Sequence, residues 1–216
     1  MGIKRILQKD QGTEARIKEA ARQLFTRKGY AATRTRDIAE AAGINLALLN
    51  YYFRSKEKLY DLVMRENILL FINGMLDTVR HSEHLGFEEK FSILIDRYIE
   101  TLIENPDLPL FILSISRSEA DAIEHSDDPL FAGMKELRAF FMKELEAQIR
   151  LGRLIPVHPL HFMANLMGMI VFPFAASNLL KARTGISQAE FERLMRERKQ
   201  LIPVWLKAMF IQPERP

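Results

Sequence analysis

The chain has no cysteine among its 216 residues, which excludes disulfide bonds and thiolate metal sites. No long apolar run follows the basic residues near its N-terminus, so we do not expect a secretory signal peptide. Its most apolar segment, 162–180, is interrupted by asparagine, serine, glycine and proline, which makes it a poor membrane span. We therefore expect a cytoplasmic protein with no membrane partner.

Charge is unevenly distributed along the chain. Residues 1–60 contain 13 lysines and arginines against 6 aspartates and glutamates, a net charge of +7. Residues 61–216 contain 18 against 22, a net charge of −4. A basic end on a mildly acidic body suits contact between one end and a polyanion, although ordinary surface charge gives the same balance.

The segment 36–58, RDIAEAAGINLALLNYYFRSKEK, predicts two short helices joined by a tight turn. Gly43 supplies the turn because a residue without Cβ adopts a left-handed backbone at no steric cost. Asn45 is a good N-cap for the second helix. Four apolar residues repeat at helical spacing and should face inward: Ile44, Leu49, Tyr52 and Phe53. This pattern is typical of a helix-turn-helix, whose second helix enters the major groove of DNA.

The outward face of that second helix carries side chains suited to DNA. Asn50 can pair with adenine, and Leu46 and Ala47 can contact a thymine methyl group. Tyr51 and Lys56 are better suited to phosphates. The full set of predicted DNA-binding residues is Arg34, Thr35, Arg36, Asn45, Leu46, Ala47, Asn50, Tyr51, Tyr52 and Lys56. Each of them, taken singly, is also compatible with an ordinary helix surface.

Many positions between 13 and 62 agree at fixed spacing with one known pattern. They are Phe25, Gly29, Tyr30, Thr33, 36–39, 42–44, Tyr52, Phe53 and 55–59. On these residues the segment resembles the DNA-binding domain of the TetR/AcrR family of bacterial transcriptional repressors. The resemblance implies that Tyr51, Tyr52 and Lys56 contact the DNA backbone. The chain departs from the family at Asn50, often tyrosine, and at Leu46, usually polar, so base preference does not carry over.

The remaining pattern predicts an all-α protein with about nine helices and no strands. Residues 1–12 are expected to form a loose arm, and 117–128 a loop. The predicted helices are 13–28, the two of the helix-turn-helix, 55–81, 87–105, 106–116, 129–151, one that follows Pro159 and reaches Arg183, and 187–210. We predict an N-terminal three-helix helix-turn-helix domain, 1–54, on a C-terminal helical bundle, 55–216, for ligand binding and dimerisation.

The last two predicted helices are too apolar for a lone surface, which favours pairing with a second copy of the chain. Both helices could instead be internal. The predicted interface residues are Phe162, Leu166, Ile170, Phe174, Leu194, Leu201 and Trp205. By the resemblance, a small-molecule effector would bind among the predicted helix 55–81 and its neighbours. The predicted pocket residues are Phe71, Met75, Tyr98, Phe111, Phe140, Met167 and Phe174, which could also simply fill the core.

Other chemistries find little support in the sequence. Two histidine pairs, 81 with 84 and 158 with 161, lack an obvious third ligand, so we expect no metal and no cofactor. There is no Gly-rich phosphate loop, GxSxG or HExxH motif, so we do not expect an enzyme. Together with the resemblance to the TetR/AcrR family, the sequence predicts a dimeric, ligand-responsive transcriptional repressor that binds palindromic double-stranded DNA. Two alternatives stay open: an activator or a regulator tuned by a protein partner, and a helical enzyme or lipid carrier with an incidental basic end.

Overall fold

The computed structural model describes residues 2–82, 84–118 and 127–210; for 2–11 and 115–118 it describes the backbone only. Within these ranges lie ten α-helices and no strand, so the all-α prediction is confirmed. The helices are α1 Gly2–Ala32, α2 Thr35–Ala41, α3 Leu46–Tyr52, α4 Lys56–His81, α5 Phe87–Glu104, α6 Leu108–Ser118, α7 Pro129–Arg150, α8 Pro159–Ala175, α9 Ser177–Thr184 and α10 Gln188–Phe210.

The helices form two compact units, residues 1–68 and 69–216. The border between the units lies inside α4, beyond residue 54, where the sequence analysis places the end of the DNA-binding domain. The first unit extends further because Leu59 and Val63 of α4 are fully buried in its core. The first turns of α4 turn their apolar face toward the core formed with α1, α2 and α3.

The first helix is longer than the sequence predicts. Its backbone is helical from Gly2, so the expectation of a loose arm over 1–12 is wrong. The segment contains no proline, and its one internal glycine, Gly12, costs a helix only about 1 kcal/mol relative to alanine. At the other end Gly29 departs from helical geometry (φ 74°, ψ 168°), and the helix resumes as far as Ala32.

Polar contacts join α1 to α4 along the side of the first unit. Lys18 Nζ lies 2.8 Å from a carboxylate oxygen of Glu66, and Arg22 Nη2 lies 2.9 Å from the other oxygen. Arg22 Nε also donates to Asn67 Oδ1 at 3.0 Å. These side chains are partly buried, so their geometry is fixed by packing as well as by charge. They hold α1 against the helix that follows the helix-turn-helix.

In the second unit, α5 packs along α10, and acidic residues of α5 meet basic residues of α10 at the edge of this contact. Lys199 Nζ lies 2.8 Å from an oxygen of Asp96, and Arg196 Nε lies 3.4 Å from Glu100. Beneath them the core is apolar. Its fully buried members include Ile95, Ile99, Leu102, Leu108, Phe131, Leu145, Phe162 and Ile202.

The predicted single helix reaching Arg183 is in fact two helices, α8 and α9, which accounts for ten helices rather than nine. They meet at Ala176 with a bend of 65°. Pro173, just before the break, has no N–H and so leaves the carbonyl of Met169, four residues earlier, without its helical donor. Arg198 of α10 supplies the missing bond, because its Nη2 donates to that carbonyl at 2.8 Å.

Other predicted helix ends are confirmed. Gly152, with φ of 69°, follows α7, and Gly185, with φ of 73°, follows α9. Ser187 Oγ accepts from the backbone N–H of Glu190 at 3.2 Å, as expected for the N-cap of α10. Of the predicted loop 117–128, the first two residues belong to α6 and the segment 119–126 lies outside the described residues.

Two searches of the described residues concern membranes and metals. None of the helices alone has the length and apolar content that crossing a membrane requires; only the bent pair of α8 and α9 reaches that criterion together. In the described part of the chain, no cluster of three or more histidine, aspartate or glutamate side chains is arranged to hold a metal ion.

Candidate nucleic-acid interface

The turn between α2 and α3 has the predicted geometry. Gly43 has φ of 66°, a left-handed conformation that an L side chain rarely adopts. The backbone N–H of Ile44 donates to the carbonyl of Ala39 at 3.0 Å, which closes the end of α2. Asn45 Oδ1 accepts from the N–H of Leu48 at 2.8 Å, so the predicted N-cap of α3 is confirmed. Asn45 therefore orients α3 whether or not it also contacts DNA.

The inward face of α3 is also confirmed. Leu49 and Phe53 are buried in the core of the first unit, together with Ile38 and Ala39 of α2. Ile44 and Tyr52 are half-buried and pack against the same core. The helix is thus held by one apolar face, and its other face is free for a ligand.

The opposite face of α3 is exposed. Ala47 and Asn50 are exposed, Tyr51 is 80% exposed, and Leu46 is half-buried. Because an exposed tyrosine of this extent gains nothing from the core, its presence on a short helix favours a role in contact with another molecule. The structure brings these predicted residues together on one surface, which we call the α3 face: Leu46, Ala47, Asn50 and Tyr51.

Three exposed residues beside the α3 face were missed by the sequence analysis. Leu48 is exposed although it is apolar, and Arg54 and Lys58 flank the end of α3 and the start of α4. Helical spacing places Leu48 close to Tyr51 on the helical wheel, and this signal could have identified it. The two basic residues stand in the predicted segment itself, where positive charge favours phosphate contact.

The predicted phosphate-binding residues before and within α2 are accessible. Arg34 and Arg36 are exposed, and Thr35 is half-buried. Lys28 Nζ lies 3.2 Å from Asp37, and the hydrogen bond from Lys28 holds the pKa of this carboxyl group below its usual value. This pair joins α1 to α2 beside the two arginines, so the negative charge of Asp37 is offset within the unit.

Lys56 differs from the other predicted DNA-binding residues because its ammonium group is engaged inside the chain. Its Nζ donates to the carbonyl of Tyr30 at 3.0 Å and to the carbonyl of Thr33 at 3.1 Å. The same atom lies 4.0 Å from the centroid of the Tyr30 ring. Lys56 is half-buried, and the structure places it at the base of the α1–α2 connection.

A family model described as bacterial regulatory proteins, tetR family, matches residues 17–63, the helices whose geometry is given above. The chain is 29% identical over 154 residues to the HTH-type transcriptional regulator RutR of Escherichia coli strain K12. Residues 17–63 thus have the sequence of a tetR-family DNA-binding domain. The match to RutR covers 68% of this chain and 66% of RutR, slightly less than two thirds of that protein.

Two further TetR-family proteins extend the comparison. The chain is 27% identical over 145 residues to the HTH-type transcriptional repressor KstR2 of Rhodococcus jostii strain RHA1, which covers 65% of this chain and 67% of that protein. The solved structure of the ketosteroid transcriptional regulator KstR2 of Mycobacterium tuberculosis is 18% identical, with a TM-score of 0.60. It covers 91% of this chain and 94% of the other, so the two chains share a fold over most of their length.

The predicted effector residues all belong to the second unit, and the structure brings only some of them together. The rings of Phe71 and Tyr98 are in contact at 4.7 Å. Phe140 packs against its neighbour Phe141, and Phe174 packs against Phe191 at 5.9 Å. No ring contact between described residues joins Phe140 or Phe174 to the Phe71–Tyr98 pair. Met75 and Phe111 are buried, and Met167 is half-buried.

A small cavity in the second unit lies elsewhere. It is bounded by α5, α8 and α10, with Glu88 and Lys207 3.4 Å apart at its rim. The residues that line it are Phe87, Glu88, Phe91, Ser92, Ile95, Phe162, Pro203, Leu206 and Lys207. None of the predicted effector residues is among them.

The predicted dimer interface needs a correction. Phe162, Leu166, Ile170 and Phe174 are buried in the chain's own core, so they cannot present a surface to a second copy. Phe162, for example, packs among the rings of Phe91 and Phe210 at 5.5 and 4.9 Å. A helix that is apolar all round gives no sequence signal for which side faces the core. Leu201 is exposed, and Leu194 and Trp205 are half-buried.

Proposed function

We propose that this protein is a ligand-responsive transcriptional regulator that binds a palindromic DNA operator as a homodimer. It would act as a repressor in the cytoplasm. A small, largely apolar effector would release it from DNA. The observation that carries the proposal is the α3 face, whose exposed amide, methyl and phenol groups stand on a helix anchored by its opposite side. The proposal also draws on the TetR family, since the relative KstR2 is named a transcriptional repressor.

The chemistry of the α3 face matches the major groove of DNA. Asn50 offers a carboxamide that can donate to and accept from adenine, and the methyl of Ala47 can contact thymine. Arg34, Arg36 and Tyr51 offer donors for phosphates on either side. Basic residues predominate in this unit, so binding should weaken steeply with salt as counterions are released.

We expect Asn50→Ala to change which sequences are bound more than it changes overall affinity. Loss of a bidentate pair with a base costs roughly 1–3 kcal/mol at that base and removes the discrimination there. The measurement is selection of bound fragments from a random duplex library, followed by titration of the winning sequence. Arg36→Ala is the control, because loss of a phosphate contact should weaken all sequences alike. Identical selected sequences for the parent and Asn50→Ala would assign base reading to other residues.

The dimer is proposed on a surface of α8, α9 and α10 that we call the apolar face. It consists of the exposed residues Leu160, Phe172, Leu179, Leu201, Val204 and Met209. These residues lie on the same helices as the predicted interface but point away from the core. Exposed apolar side chains on three successive helices favour a partner, and a second copy would place two α3 helices on two half-sites.

We expect Val204→Asp to convert the dimer to a monomer at micromolar concentration. Val204 is 62% exposed, so the free chain tolerates the charge, whereas a dimer would bury it unpaired at a cost of several kcal/mol. Sedimentation velocity gives the mass in solution. Leu110→Asp, on exposed α6 surface, is the control and should leave the mass unchanged. A parent chain that sediments as a monomer at all concentrations would refute the dimer.

For the effector, the pair of Phe71 and Tyr98 gives the most specific chemistry. Burial raises the pKa of the Tyr98 hydroxyl to about 12, and no hydrogen bond joins this hydroxyl to another described residue. A neutral phenol with a free donor beside an aromatic ring suits an apolar molecule that carries a hydrogen-bond acceptor. The name of the relative KstR2, a ketosteroid transcriptional regulator, is consistent with this class of effector.

A further inference from the structure

Lys56 uses most of its hydrogen-bonding capacity inside the chain. An ammonium group has three N–H donors, and two of them are taken by the carbonyls of Tyr30 and Thr33. The Tyr30 ring faces the same charge at 4.0 Å, which is within the range of a cation–π interaction. A lysine held in this way differs from an extended surface lysine, whose charge is free to pair with a phosphate.

The Tyr30 carbonyl lies in the last turn of α1, and the Thr33 carbonyl lies in the connection between α1 and α2. Gly29 interrupts the helical geometry there, and the Thr33 hydroxyl donates to the carbonyl of Gly29 at 2.8 Å and lies 3.2 Å from that of Leu24. Thr33 is almost fully buried. The chain then continues directly into 34–36, the predicted phosphate-binding segment. Lys56 therefore ties this segment to the start of α4, a few residues after the end of α3.

An aromatic cluster supports the Tyr30 side of this contact. The Tyr30 ring lies 4.7 Å from the Tyr60 ring, and Tyr60 lies 5.0 Å from Phe25 in an edge-to-face arrangement. Both Tyr60 and Lys56 are on the first turns of α4. Tyr60 thus holds the Tyr30 ring in place, and Lys56 reaches that ring from the same helix. This arrangement fixes the position of the ammonium group.

We propose that Lys56 is a positioning residue of the DNA-binding unit. Its ammonium group holds the end of α1 and the connection to α2, and so keeps Arg34, Thr35 and Arg36 at a defined distance from the α3 face. This replaces the direct phosphate contact that the sequence predicts for Lys56. The functional part of the inference rests on the proposed DNA binding, but the structural part can be measured without DNA.

The first measurement is limited trypsin digestion of the DNA-free protein, with cleavage after Arg34 and Arg36 followed by mass spectrometry. We expect cleavage to be about tenfold faster in Lys56→Met and Lys56→Arg, because loss of hydrogen bonds from a charged donor lets the connection open more often. Lys58→Met is the matched control, since it removes the same charge from an exposed neighbour. Circular dichroism and a thermal transition establish that each variant is folded.

The second measurement is DNA affinity, for which Lys56→Arg is decisive. Arginine pairs with phosphate at least as well as lysine, but its planar guanidinium cannot replace a compact ammonium between two carbonyls and a ring. We expect Lys56→Arg to bind DNA about tenfold more weakly than the parent, as Lys56→Met does.

Parental rates of cleavage in both Lys56 variants would overturn the inference, and so would full DNA affinity in Lys56→Arg. A parent protein that binds no duplex would refute the proposed function instead. The digestion would still decide the structural role of Lys56 in that case, because it needs no DNA.

Discussion

Ala47→Asp is expected to abolish specific DNA binding, with a loss of affinity of about 100-fold or more. Ala47 is exposed on the α3 face, next to Asn50 and Tyr51 in the helical surface. A carboxylate there would be repelled by the phosphates, and it would lose the contact of the Ala47 methyl with thymine. The substitution should not weaken the fold, since an acidic residue is favourable in the first turn of a helix. Gel-shift or fluorescence-anisotropy titration at fixed salt gives the affinity.

Ala132→Asp is the matched control for this prediction. Ala132 is also exposed in the first turn of a helix, α7, so the change in net charge and in helix chemistry is the same. Because Ala132 belongs to the second unit, we expect its substitution to leave DNA affinity within about twofold of the parent. Parental affinity in Ala47→Asp would show that α3 does not lie in the groove.

Phe162→Ala is expected to lower the free energy of unfolding by about 3–5 kcal/mol. Phe162 is 2% exposed and contacts the rings of Phe91 and Phe210, so its truncation leaves a cavity that these rigid neighbours cannot fill. Urea denaturation followed by circular dichroism measures the loss. Because the side chain lies in the core of its own chain, the loss should be the same at every protein concentration.

Phe172→Ala makes the same substitution in the same helix, at a side chain that is 62% exposed. At a concentration where the proposed dimer has dissociated, it should change the free energy of unfolding by no more than about 0.5 kcal/mol. At higher concentration it should lower stability, because it would weaken association. The reverse pattern, with Phe162 dependent on concentration and Phe172 not, would restore Phe162 to the interface that the sequence predicts.

The helix-turn-helix of the first unit could be predicted from the sequence in detail, whereas the helical backbone of residues 2–12 could not. Gly43, the Asn45 cap and the inward face of α3 each depend on contacts within a few residues of the chain. A left-handed turn requires glycine and an N-cap requires a side-chain acceptor, so the residue type itself predicts the local structure there. The role of Lys56 could not be predicted, because its two acceptors are backbone carbonyls far away in the chain, and carbonyls carry no sequence signal.

The second unit was harder to predict for two physical reasons. In α8 almost every position is apolar, so helical periodicity does not distinguish Phe162 in the core from Phe172 on the surface. The bend at Ala176 depends on how the chain compensates for Pro173, which is decided by tertiary contact rather than local sequence. The predicted effector residues share no motif. Among them, the ring contact that the described residues show is that of Phe71 with Tyr98.

The bond from Arg198 to the Met169 carbonyl makes two distant positions interdependent. Because Pro173 has no N–H, the Met169 carbonyl lacks a helical donor, and Arg198 donates to it instead. The Arg198 guanidinium also lies 5.0 Å from the centroid of the Trp205 ring. A residue at 173 with a backbone N–H would donate to the Met169 carbonyl. The partly buried guanidinium of Arg198 would then lose that hydrogen bond. Sequence drift at either site should therefore be tolerated only when the other site changes with it.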